Sequence, residues 1–218
     1  MKLFLDTADV SEIERAVATG LIDGITTNPT LIRKSGRDPI EVYRDIESLG
    51  VQDISMEVYG DYTEMVTQAA KLGEIFGPTA TIKLPMTLAG LEVCQELKHA
   101  GLRTNVTLVF NAAQALLAAK SGATYVSPFV GRIDDQGYAG TEVVRSCVGL
   151  LSRTDTQVLA ASIRSTQRVV RCFYNGADVV TMPPKVFWGL FDHVLTDIGL
   201  ELFNEDIKET NGNLESNT

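Results

Sequence analysis

Short apolar segments alternate with amphipathic segments along nearly the whole chain, and this alternation limits the possible folds most strongly. The apolar segments predict strands at residues 3–5, 24–27, 53–58, 79–84, 104–109, 123–127, 157–162 and 178–182. The amphipathic segments predict helices at 9–18, 61–76, 88–99, 112–120, 141–151 and 166–174, with further helices starting after residues 28 and 183. Strands that alternate with helices form parallel sheets. Eight such units are the number in a closed barrel, so we expect an α/β fold, a single-domain (β/α)8 TIM barrel.

An open, doubly wound parallel sheet is the alternative fold for this alternation. The sequence contains no Gly-x-Gly-x-x-Gly segment, which is the motif that would favour it. With 218 residues the chain can form one such domain. We expect a barrel with a C-terminal helix over residues 1–208. Residues 209–218 lack apolar spacing and are expected to form a flexible tail.

Composition excludes several classes of function. Lys and Arg number 19 against 28 Asp and Glu, and the resulting net charge of −9 argues against a nucleic-acid partner. The two histidines are too few for a histidine-based metal site. The apolar segments are too short for a signal peptide or a membrane span. Three widely spaced cysteines, Cys94, Cys147 and Cys172, suggest reduced thiols in a cytoplasmic protein.

Lys83 lies within a short apolar run, residues 80–84, that reads as the fourth strand. Lysine is almost never fully buried unless it is paired. Burial favours the neutral amine, which is the form that attacks a carbonyl carbon. The alternative is a structural lysine whose ammonium is paired, or one that reaches water from a strand end.

Polar residues recur at the C-terminal ends of seven predicted strands, where barrel enzymes place their active sites. They are Asp6, Thr26 and Asn28, Glu57, Lys83, Asn105 and Thr107, Ser127, and Ser162 with Arg164. Where one strand carries two, they are two residues apart and share a face. One carboxylate beside one lysine would be a structural salt bridge. A ring of acids, amides and hydroxyls around the lysine instead favours a site for a carbonyl compound. Thr26 also fits an ordinary β-branched strand residue, and we leave it out of the candidate set.

Each candidate has a chemical role in a reaction through a Schiff base, which needs a neutral amine and proton transfers. Asp6 and Glu57 can divide the proton transfers, because two carboxylates in different environments hold different protonation states. Amide and hydroxyl groups can bind sugar hydroxyls and orient water; these are Asn28, Asn105, Thr107 and Ser127. Arg132 and Arg164, together with Ser162, can bind a terminal phosphate. Surface ion pairs are the alternative for each arginine.

Several separated segments closely resemble transaldolase. They are TTNPT at 26–30, IKLP at 82–85, TNVT at 104–107, SPFVGR at 127–132 and ASIR at 161–164, with LFLDTA at 3–8 and LTDIG at 195–199. The resemblance extends from residue 1 to about residue 206. The length is that of the small, short-chain subfamily, which also includes fructose-6-phosphate aldolase.

The resemblance implies a class I aldolase barrel with no metal and no organic cofactor. It implies that Lys83 forms the Schiff base, that Asp6 is the general acid and base, and that Glu57 with Thr107 holds the catalytic water. The three-carbon dihydroxyacetone unit would bind at Asn28, Asn105 and Ser127. The phosphate would bind at Arg132, Ser162 and Arg164. Relatives of this size form rings of five, or two such rings, so a homo-oligomer (pentamer or decamer) is expected.

The implied reaction transfers a dihydroxyacetone unit from sedoheptulose 7-phosphate to glyceraldehyde 3-phosphate, in the pentose phosphate pathway. Two alternatives remain: a fructose-6-phosphate aldolase, which releases free dihydroxyacetone, and a non-catalytic sugar-phosphate binder. The aldolases typically have Gln where this chain has Glu57 and Tyr where it has Phe129. Both residues therefore favour transaldolase.

Overall fold

Eight parallel strands form a closed barrel. The computed structural model describes the backbone of residues 1–215 and the side chains of residues 1–208. The strands are β1 (Lys2–Asp6), β2 (Gly24–Thr26), β3 (Ile54–Glu57), β4 (Ala80–Pro85), β5 (Arg103–Val109), β6 (Tyr125–Pro128), β7 (Gln157–Ala160) and β8 (Val179–Met182). Each strand pairs with its neighbour in sequence, and β8 pairs with β1. The predicted (β/α)8 barrel is confirmed and the open sheet is excluded.

Helices cover the outside of the barrel. Within the described residues they are α1 (Val10–Val17), α2 (Pro29–Ser35), α3 (Pro39–Ser48), α4 (Tyr62–Phe76), α5 (Leu88–His99), α6 (Ala112–Lys120), α7 (Val130–Asp135), α8 (Gly140–Leu151), α9 (Thr166–Tyr174), α10 (Pro184–Trp188) and α11 (Val194–Glu215). Local sequence starts several of them. Asp9 caps α1 by accepting from the backbone N–H groups of Ser11 and Glu12. Asp61 and Glu64 form a capping box at the start of α4.

The main hydrophobic core lies between the barrel wall and the helices. Ile25, Ile54, Ile82 and Val106 are fully buried there, on the outward faces of consecutive strands. A second, smaller cluster of Phe4, Tyr125, Leu159, Ala161 and Val179 fills the barrel interior. Tyr125 and Val179 are the first residues of their strands, so this plug extends from the N-terminal end of the barrel up to Leu159 and Ala161, which border the internal space toward the C-terminal ends.

A glycine makes room for the interior plug. A Cβ added at Gly24 would lie 2.6 Å from the ring of Phe4 and 2.7 Å from the carbonyl oxygen of Asp53. Real side chains do not approach so closely, so the ring of Phe4 can turn inward only because residue 24 has no side chain. Close packing inside the barrel therefore requires glycine at position 24.

A polar network closes the N-terminal end of the barrel. The Asp53 carboxylate accepts hydrogen bonds from Thr81 Oγ1 at 2.8 Å, Tyr125 Oη at 2.8 Å and Arg103 Nη1 at 2.7 Å. Arg103 also donates to the backbone carbonyl of Gln52. The network thus joins β4, β5 and β6 to the residues just before β3, beneath the plug.

The helix α11 differs from the others in its exposure. Its apolar side chains Val194, Leu195, Leu202 and Phe203 are all exposed. The predicted tail at 209–218 lies outside the residues whose side chains are described, and it stays a prediction. None of the helices in the described part of the chain is both long and apolar enough to cross a membrane. Cys94, Cys147 and Cys172 are buried free thiols.

Candidate active site

A cavity of about 460 Å³ opens at the C-terminal ends of the strands. Its lining includes ten of the eleven candidate residues: Asp6, Asn28, Glu57, Lys83, Asn105, Thr107, Ser127, Phe129, Arg132 and Ser162. Thr26, Thr30, Leu31, Leu108, Leu159, Ala161 and Thr181 also line it, with Pro29. Residues that are far apart in sequence therefore share one space.

Lys83 lies in the cavity wall with 5% of its surface exposed. Its Nζ is 2.8 Å from Glu57 Oε2 and donates to the Thr27 carbonyl oxygen at 2.8 Å. The ion pair follows from strand register, because Glu57 and Lys83 are direct partners across β3 and β4. The amine is thus buried and paired, as a structural lysine would be. What distinguishes it is the open cavity next to it, which a structural pair does not require.

Asp6 ends β1 and faces the same cavity. Its Oδ1 accepts a hydrogen bond from Thr26 Oγ1 at 2.8 Å. Burial raises the pKa of the Asp6 carboxyl above its ordinary value, while the charge of Lys83 and the hydrogen bond from Thr26 act in the opposite direction. A carboxyl with a raised pKa is suited to both accept and return a proton near neutral pH.

An amide and two hydroxyls form a fixed row across β3, β5 and β6. Ser127 Oγ donates to Asn105 Oδ1 at 2.6 Å, and Asn105 Nδ2 donates to Ser55 Oγ at 3.1 Å. Since the Ser127 proton is used, its oxygen is left to accept a hydrogen bond from a ligand hydroxyl. Asn105 retains one N–H for donation, so the row presents complementary groups to a polyol.

Thr107 is the one buried polar side chain without a protein partner within the described residues. It is fully buried from bulk water yet lines the cavity. An unpaired buried hydroxyl is costly unless a ligand or water satisfies it. The next residue, Leu108, has a φ of 60°, and the β5–β6 register is irregular between Val106 and Val109.

The rim of the cavity carries a cation above an aromatic ring. The Arg132 guanidinium lies 4.9 Å from the ring centroid of Phe129, which is within the range of a cation–π contact. Phe129 in turn meets Phe110 edge to face, with the ring centroids 5.9 Å apart. Ser162 borders the same rim and has a φ of 58°.

Asn28 keeps part of its side chain available to a ligand in the cavity, whereas Arg164 is paired outside the cavity. Asn28 caps α2, with Oδ1 accepting from the Leu31 N–H at 3.0 Å, and its amide nitrogen is left for a ligand. Arg164 does not line the cavity. Its guanidinium donates to both carboxylate oxygens of Asp135, the surface ion pair that was the alternative for this residue.

The sequence reasoning missed three supporting groups. Ser55 holds Asn105, the Thr27 carbonyl accepts from Lys83, and Thr181 contacts the excluded Thr26 at 2.7 Å between hydroxyl oxygens. Ser55 had a usable signal, because it lies two residues before Glu57 on the same strand face. Thr181 had no such signal, because the eighth strand carries no candidate residue. The role of a backbone carbonyl has no sequence signal.

Metal ligands do not gather in this part of the molecule. Over the described residues, no group of three or more His, Cys, Asp or Glu side chains is placed to hold a metal ion. The cavity instead combines two cations, Lys83 and Arg132, with two carboxylates and several neutral hydrogen-bonding groups. This set is chemically suited to proton transfer around an amine.

A solved structure of low sequence similarity has the same fold. Thiamine phosphate pyrophosphorylase from Pyrococcus furiosus superposes with a TM-score of 0.58 at 17% identity, covering 84% of this chain and 85% of that one. At this identity the likeness concerns the barrel alone.

Curated relatives are much closer in sequence. A protein of Cereibacter sphaeroides named "Probable transaldolase" is 47% identical to this chain, over 96% of this chain and 97% of its own length. The corresponding protein of Chelativorans sp. is 49% identical, over 96% of this chain and 98% of its own. That of Bartonella tribocorum is 45% identical, over 98% of this chain and 100% of its own. The family model described as transaldolase/fructose-6-phosphate aldolase matches residues 3–217. This protein therefore belongs to the transaldolase/fructose-6-phosphate aldolase family.

Proposed function

We propose that this protein is a transaldolase. It would transfer a dihydroxyacetone unit from sedoheptulose 7-phosphate to glyceraldehyde 3-phosphate through a Schiff base on Lys83, in the pentose phosphate pathway. The observation that carries the proposal is the buried Lys83 amine beside a polar cavity, with Glu57 at 2.8 Å and Asp6 in the same wall. The proposal also draws on the names of the relatives.

The first half of the reaction forms the Schiff base. Lys83 passes its extra proton to Glu57, the nearest carboxylate, and the neutral amine adds to the ketone carbon of the donor. Protonation of the resulting hydroxyl lets it leave as water, and an iminium remains. The Thr27 carbonyl, at 2.8 Å, holds Nζ at the cavity wall during this step.

Carbon–carbon cleavage follows on the iminium. Asp6 removes the proton of the donor's C4 hydroxyl, the C3–C4 bond breaks, and its electrons form an enamine on the lysine nitrogen. Erythrose 4-phosphate leaves as the aldehyde. Glyceraldehyde 3-phosphate then enters, the enamine carbon attacks its carbonyl carbon, and Asp6 returns the proton to the new hydroxyl. Water hydrolyses the iminium and releases fructose 6-phosphate.

The remaining cavity groups bind and orient the reactants. Thr107 and Glu57 would hold the water that attacks the iminium, which would satisfy the otherwise unpaired Thr107 hydroxyl. Asn28, Asn105 and Ser127 would bind the dihydroxyacetone hydroxyls. A terminal phosphate would bind Arg132 and Ser162 at the rim. Arg164 would join them only if its pair with Asp135 opened or was shared.

Phe129 supports transfer over free aldol cleavage. A tyrosine hydroxyl at this position would hold a water near the enamine, and phenylalanine has no such group. In this protein the ring supports the Arg132 guanidinium instead, at 4.9 Å. The enamine would therefore persist until the phosphorylated acceptor arrives.

Borohydride reduction tests the covalent step. With fructose 6-phosphate present, borohydride should trap a three-carbon adduct, or a six-carbon one, on Lys83, and mass spectrometry of peptides should locate it. The Lys83→Ala variant should form no adduct. Lys185→Ala is the matched control, because Lys185 is an exposed residue in α10, and it should be trapped like the wild type. An adduct in Lys83→Ala would refute the assignment.

A coupled assay distinguishes transfer from the alternatives. We expect release of product from fructose 6-phosphate to be at least tenfold faster with an aldehyde acceptor present than without one. Equal rates would identify a fructose-6-phosphate aldolase. Ligand-induced thermal stabilisation without any turnover would identify a sugar-phosphate binder.

We also propose a cytoplasmic homo-oligomer, pentameric or decameric. The free buried thiols agree with a reducing compartment. The exposed apolar side chains of α11 favour a second copy as partner, because apolar surface gains free energy when it leaves water.

A further inference from the structure

Three oxygen atoms from three adjacent strands form a chain that ends at the catalytic acid of the proposed reaction. Thr26 Oγ1 lies 2.8 Å from Asp6 Oδ1 and 2.7 Å from Thr181 Oγ1. Both threonines are buried and line the active-site cavity. Strand pairing fixes the arrangement, since Asp6 is the direct partner of Thr26 across β1 and β2, and β8 pairs with β1 on the other side.

The direction of the hydrogen bonds follows from the charge of Asp6. An ionised carboxylate only accepts, so Thr26 must donate its single proton to Asp6. Thr26 then has no proton left for the second contact, and Thr181 must donate to Thr26. Thr181 Oγ1 keeps a lone pair toward the cavity.

When Asp6 is protonated, the hydrogen bonds of the chain run in the opposite direction. When Asp6 Oδ1 carries a proton, it donates to Thr26 Oγ1, and rotation of the Thr26 C–O bond turns that hydroxyl toward Thr181. Thr181 accepts, and its own proton turns into the cavity that it lines. No heavy atom moves and no bond to carbon changes. The system gains only the proton that Asp6 has taken from the substrate.

We propose that Thr181 is a positioning residue for the reaction proposed above, acting through Thr26 to keep Asp6 hydrogen-bonded in both of its protonation states. The inference rests on the proposed function, because it assumes that Asp6 takes up and returns a proton in each cycle. A single threonine at position 26 can satisfy the ionised acid. The protonated acid needs an acceptor for the displaced Thr26 proton, and Thr181 supplies it.

The two threonines should therefore have opposite effects on the pH dependence of donor cleavage. In Thr26→Val the carboxylate loses its donor, the ionised form becomes less stable, and the acid limb of the profile should move to higher pH. In Thr181→Val the state with protonated Asp6 is destabilised, because the Thr26 proton is then buried without an acceptor. The ionised state loses only the cooperative strengthening of its hydrogen bond, which is a smaller free-energy cost. The acid limb should then move to lower pH.

Other charged groups face the same cavity and stay constant across these variants. They are Lys83 of β4, Glu57 of β3 and, at the rim, Arg132 of α7. Neither valine substitution changes the net charge. A shift of the acid limb therefore reports on the hydroxyl chain and not on a new charge.

The experiment measures single-turnover release of the aldehyde product against pH for four variants: Thr26→Val, Thr181→Val, Thr181→Ser and Thr26→Val/Thr181→Val. We expect a three- to tenfold lower rate constant in Thr181→Val, with near wild-type rate and pH profile in Thr181→Ser, which keeps the hydroxyl. The double variant should match Thr26→Val alone, because Thr181 then has nothing to act through. Thr104→Val is the control, since Thr104 is buried on β5 with its hydroxyl 3.3 Å from Cys94 Sγ, outside the cavity.

The outcomes separate this inference from the proposed function. If borohydride traps no adduct on the wild type, the proposed function fails and this inference with it. If the wild type forms the adduct and turns over, but Thr181→Val behaves like Thr104→Val, only this inference fails. A shift to higher pH in Thr181→Val, or additive effects in the double variant, would also overturn it. If Thr181→Val does not fold, Thr181→Ala removes the same hydroxyl and should give the same shift of the acid limb to lower pH, and an unshifted profile would overturn the inference.

Discussion

The central feature at the scale of single residues is one amine shared between two carboxylates that have different surroundings. Glu57 is in direct contact with Lys83 at 2.8 Å, whereas Asp6 interacts with its charge through space and takes its hydrogen bond from Thr26. One carboxylate is therefore placed to exchange a proton with the amine. The other is placed to exchange a proton with a bound substrate, which is the division of labour expected of two acids in different environments.

The Asp6→Asn variant should lose activity and gain stability at neutral pH. Loss of a general acid and base should lower turnover by about 10²- to 10⁴-fold. The raised pKa means that the folded protein pays to hold Asp6 ionised, whereas the unfolded chain does not. This cost is absent below pH of about 3.9, where the carboxyl is protonated in both states, and it grows as the pH rises through the folded-state pKa. Thermal unfolding against pH should show the gain near pH 7 and its loss near pH 4.

Asp9→Asn is the matched control for this measurement. The Ser11 hydrogen bond lowers the pKa of the Asp9 carboxyl, which caps α1 at the surface. A lowered pKa has the opposite sign, so the ionised form stabilises the fold at neutral pH and that contribution disappears in acid. Asp9→Asn should therefore lose a little stability near pH 7 and keep full activity. Equal pH dependence in the two variants would contradict the assignment of Asp6.

At the scale of elements, the end of β5 and the loop after β7 carry the only two non-glycine residues of positive φ in the described chain, Leu108 at 60° and Ser162 at 58°. Both line the cavity. L-residues occupy this conformation at a cost of about 1–2 kcal/mol. Such strain concentrates where surrounding structure must hold a group in an unusual direction. These two positions lie on the side of the cavity where we place the water and the phosphate.

The Gly131→Ala variant should separate α7 from the loop after β7. A Cβ at Gly131 would lie 2.3 Å from the Ser162 carbonyl oxygen, which also accepts the Gly131 N–H at 2.9 Å. Backbone must move to relieve this contact, and Arg132 and Ser162 would move apart. We expect a loss of about 1–3 kcal/mol in unfolding free energy and a KM for phosphorylated donor raised at least tenfold. Chemical denaturation and steady-state kinetics measure the two effects.

Gly149→Ala is the control for the glycine substitution. Gly149 also lies within a helix, α8, and a Cβ there meets no atom within 4 Å. Alanine should stabilise the helix by about 1 kcal/mol and leave KM unchanged. If Gly131→Ala instead behaved like Gly149→Ala, the close approach of α7 to the β7 loop would matter neither for stability nor for substrate binding.

At the scale of the whole molecule, the barrel separates stability from chemistry along its axis. The Asp53 network and the apolar plug lie on the N-terminal side, the cavity lies on the C-terminal side, and Leu159 and Ala161 of the plug form the boundary between them. Asp53→Ala should leave Arg103, Thr81 and Tyr125 without their common acceptor. We expect a loss of about 2–3 kcal/mol, less than for a fully buried pair because Arg103 is partly exposed.

The Asp53→Ala substitution should leave the kinetics of the folded protein nearly unchanged. Since Asp53 lies beneath the plug, KM and kcat of the folded Asp53→Ala protein should stay within about twofold of the wild type, in contrast to Gly131→Ala. Asp45→Ala is the control, because the Arg37–Asp45 pair at 2.7 Å is exposed and should matter little to stability. A large change in kcat for Asp53→Ala would show that the two halves are coupled.

The mass of the protein in solution tests the proposed oligomer. Light scattering of the wild type should give five or ten times the chain mass of 23.7 kDa. Leu202→Asp/Phe203→Asp places charge on the exposed apolar part of α11 and should lower the mass toward that of one chain. Glu205→Ala on the same helix should not. A wild-type mass of 23.7 kDa would exclude the oligomer.

Local pattern alone determined the architecture and most of the candidate site. The alternation of strand and helix periodicity depends only on neighbouring residues, so it predicted all eight strands and the closed barrel. The inward direction of Asp6, Lys83 and Asn105 followed from strand parity and their place at strand ends. Eight of the ten candidate residues that share the cavity were found at predicted strand ends in this way, whereas Phe129 was named from the family resemblance and Arg132 lies in α7.

Only the tertiary structure decided which groups the side chains contact. Arg164 is paired with Asp135 because α7 and the β7 loop meet at the rim, and no spacing in the sequence encodes that meeting. Ser55 and Thr181 became part of the site through register across the barrel, where strands distant in sequence face one another. Side-chain pairing depends on distances through space, whereas periodicity along the chain fixes only the face on which each side chain lies.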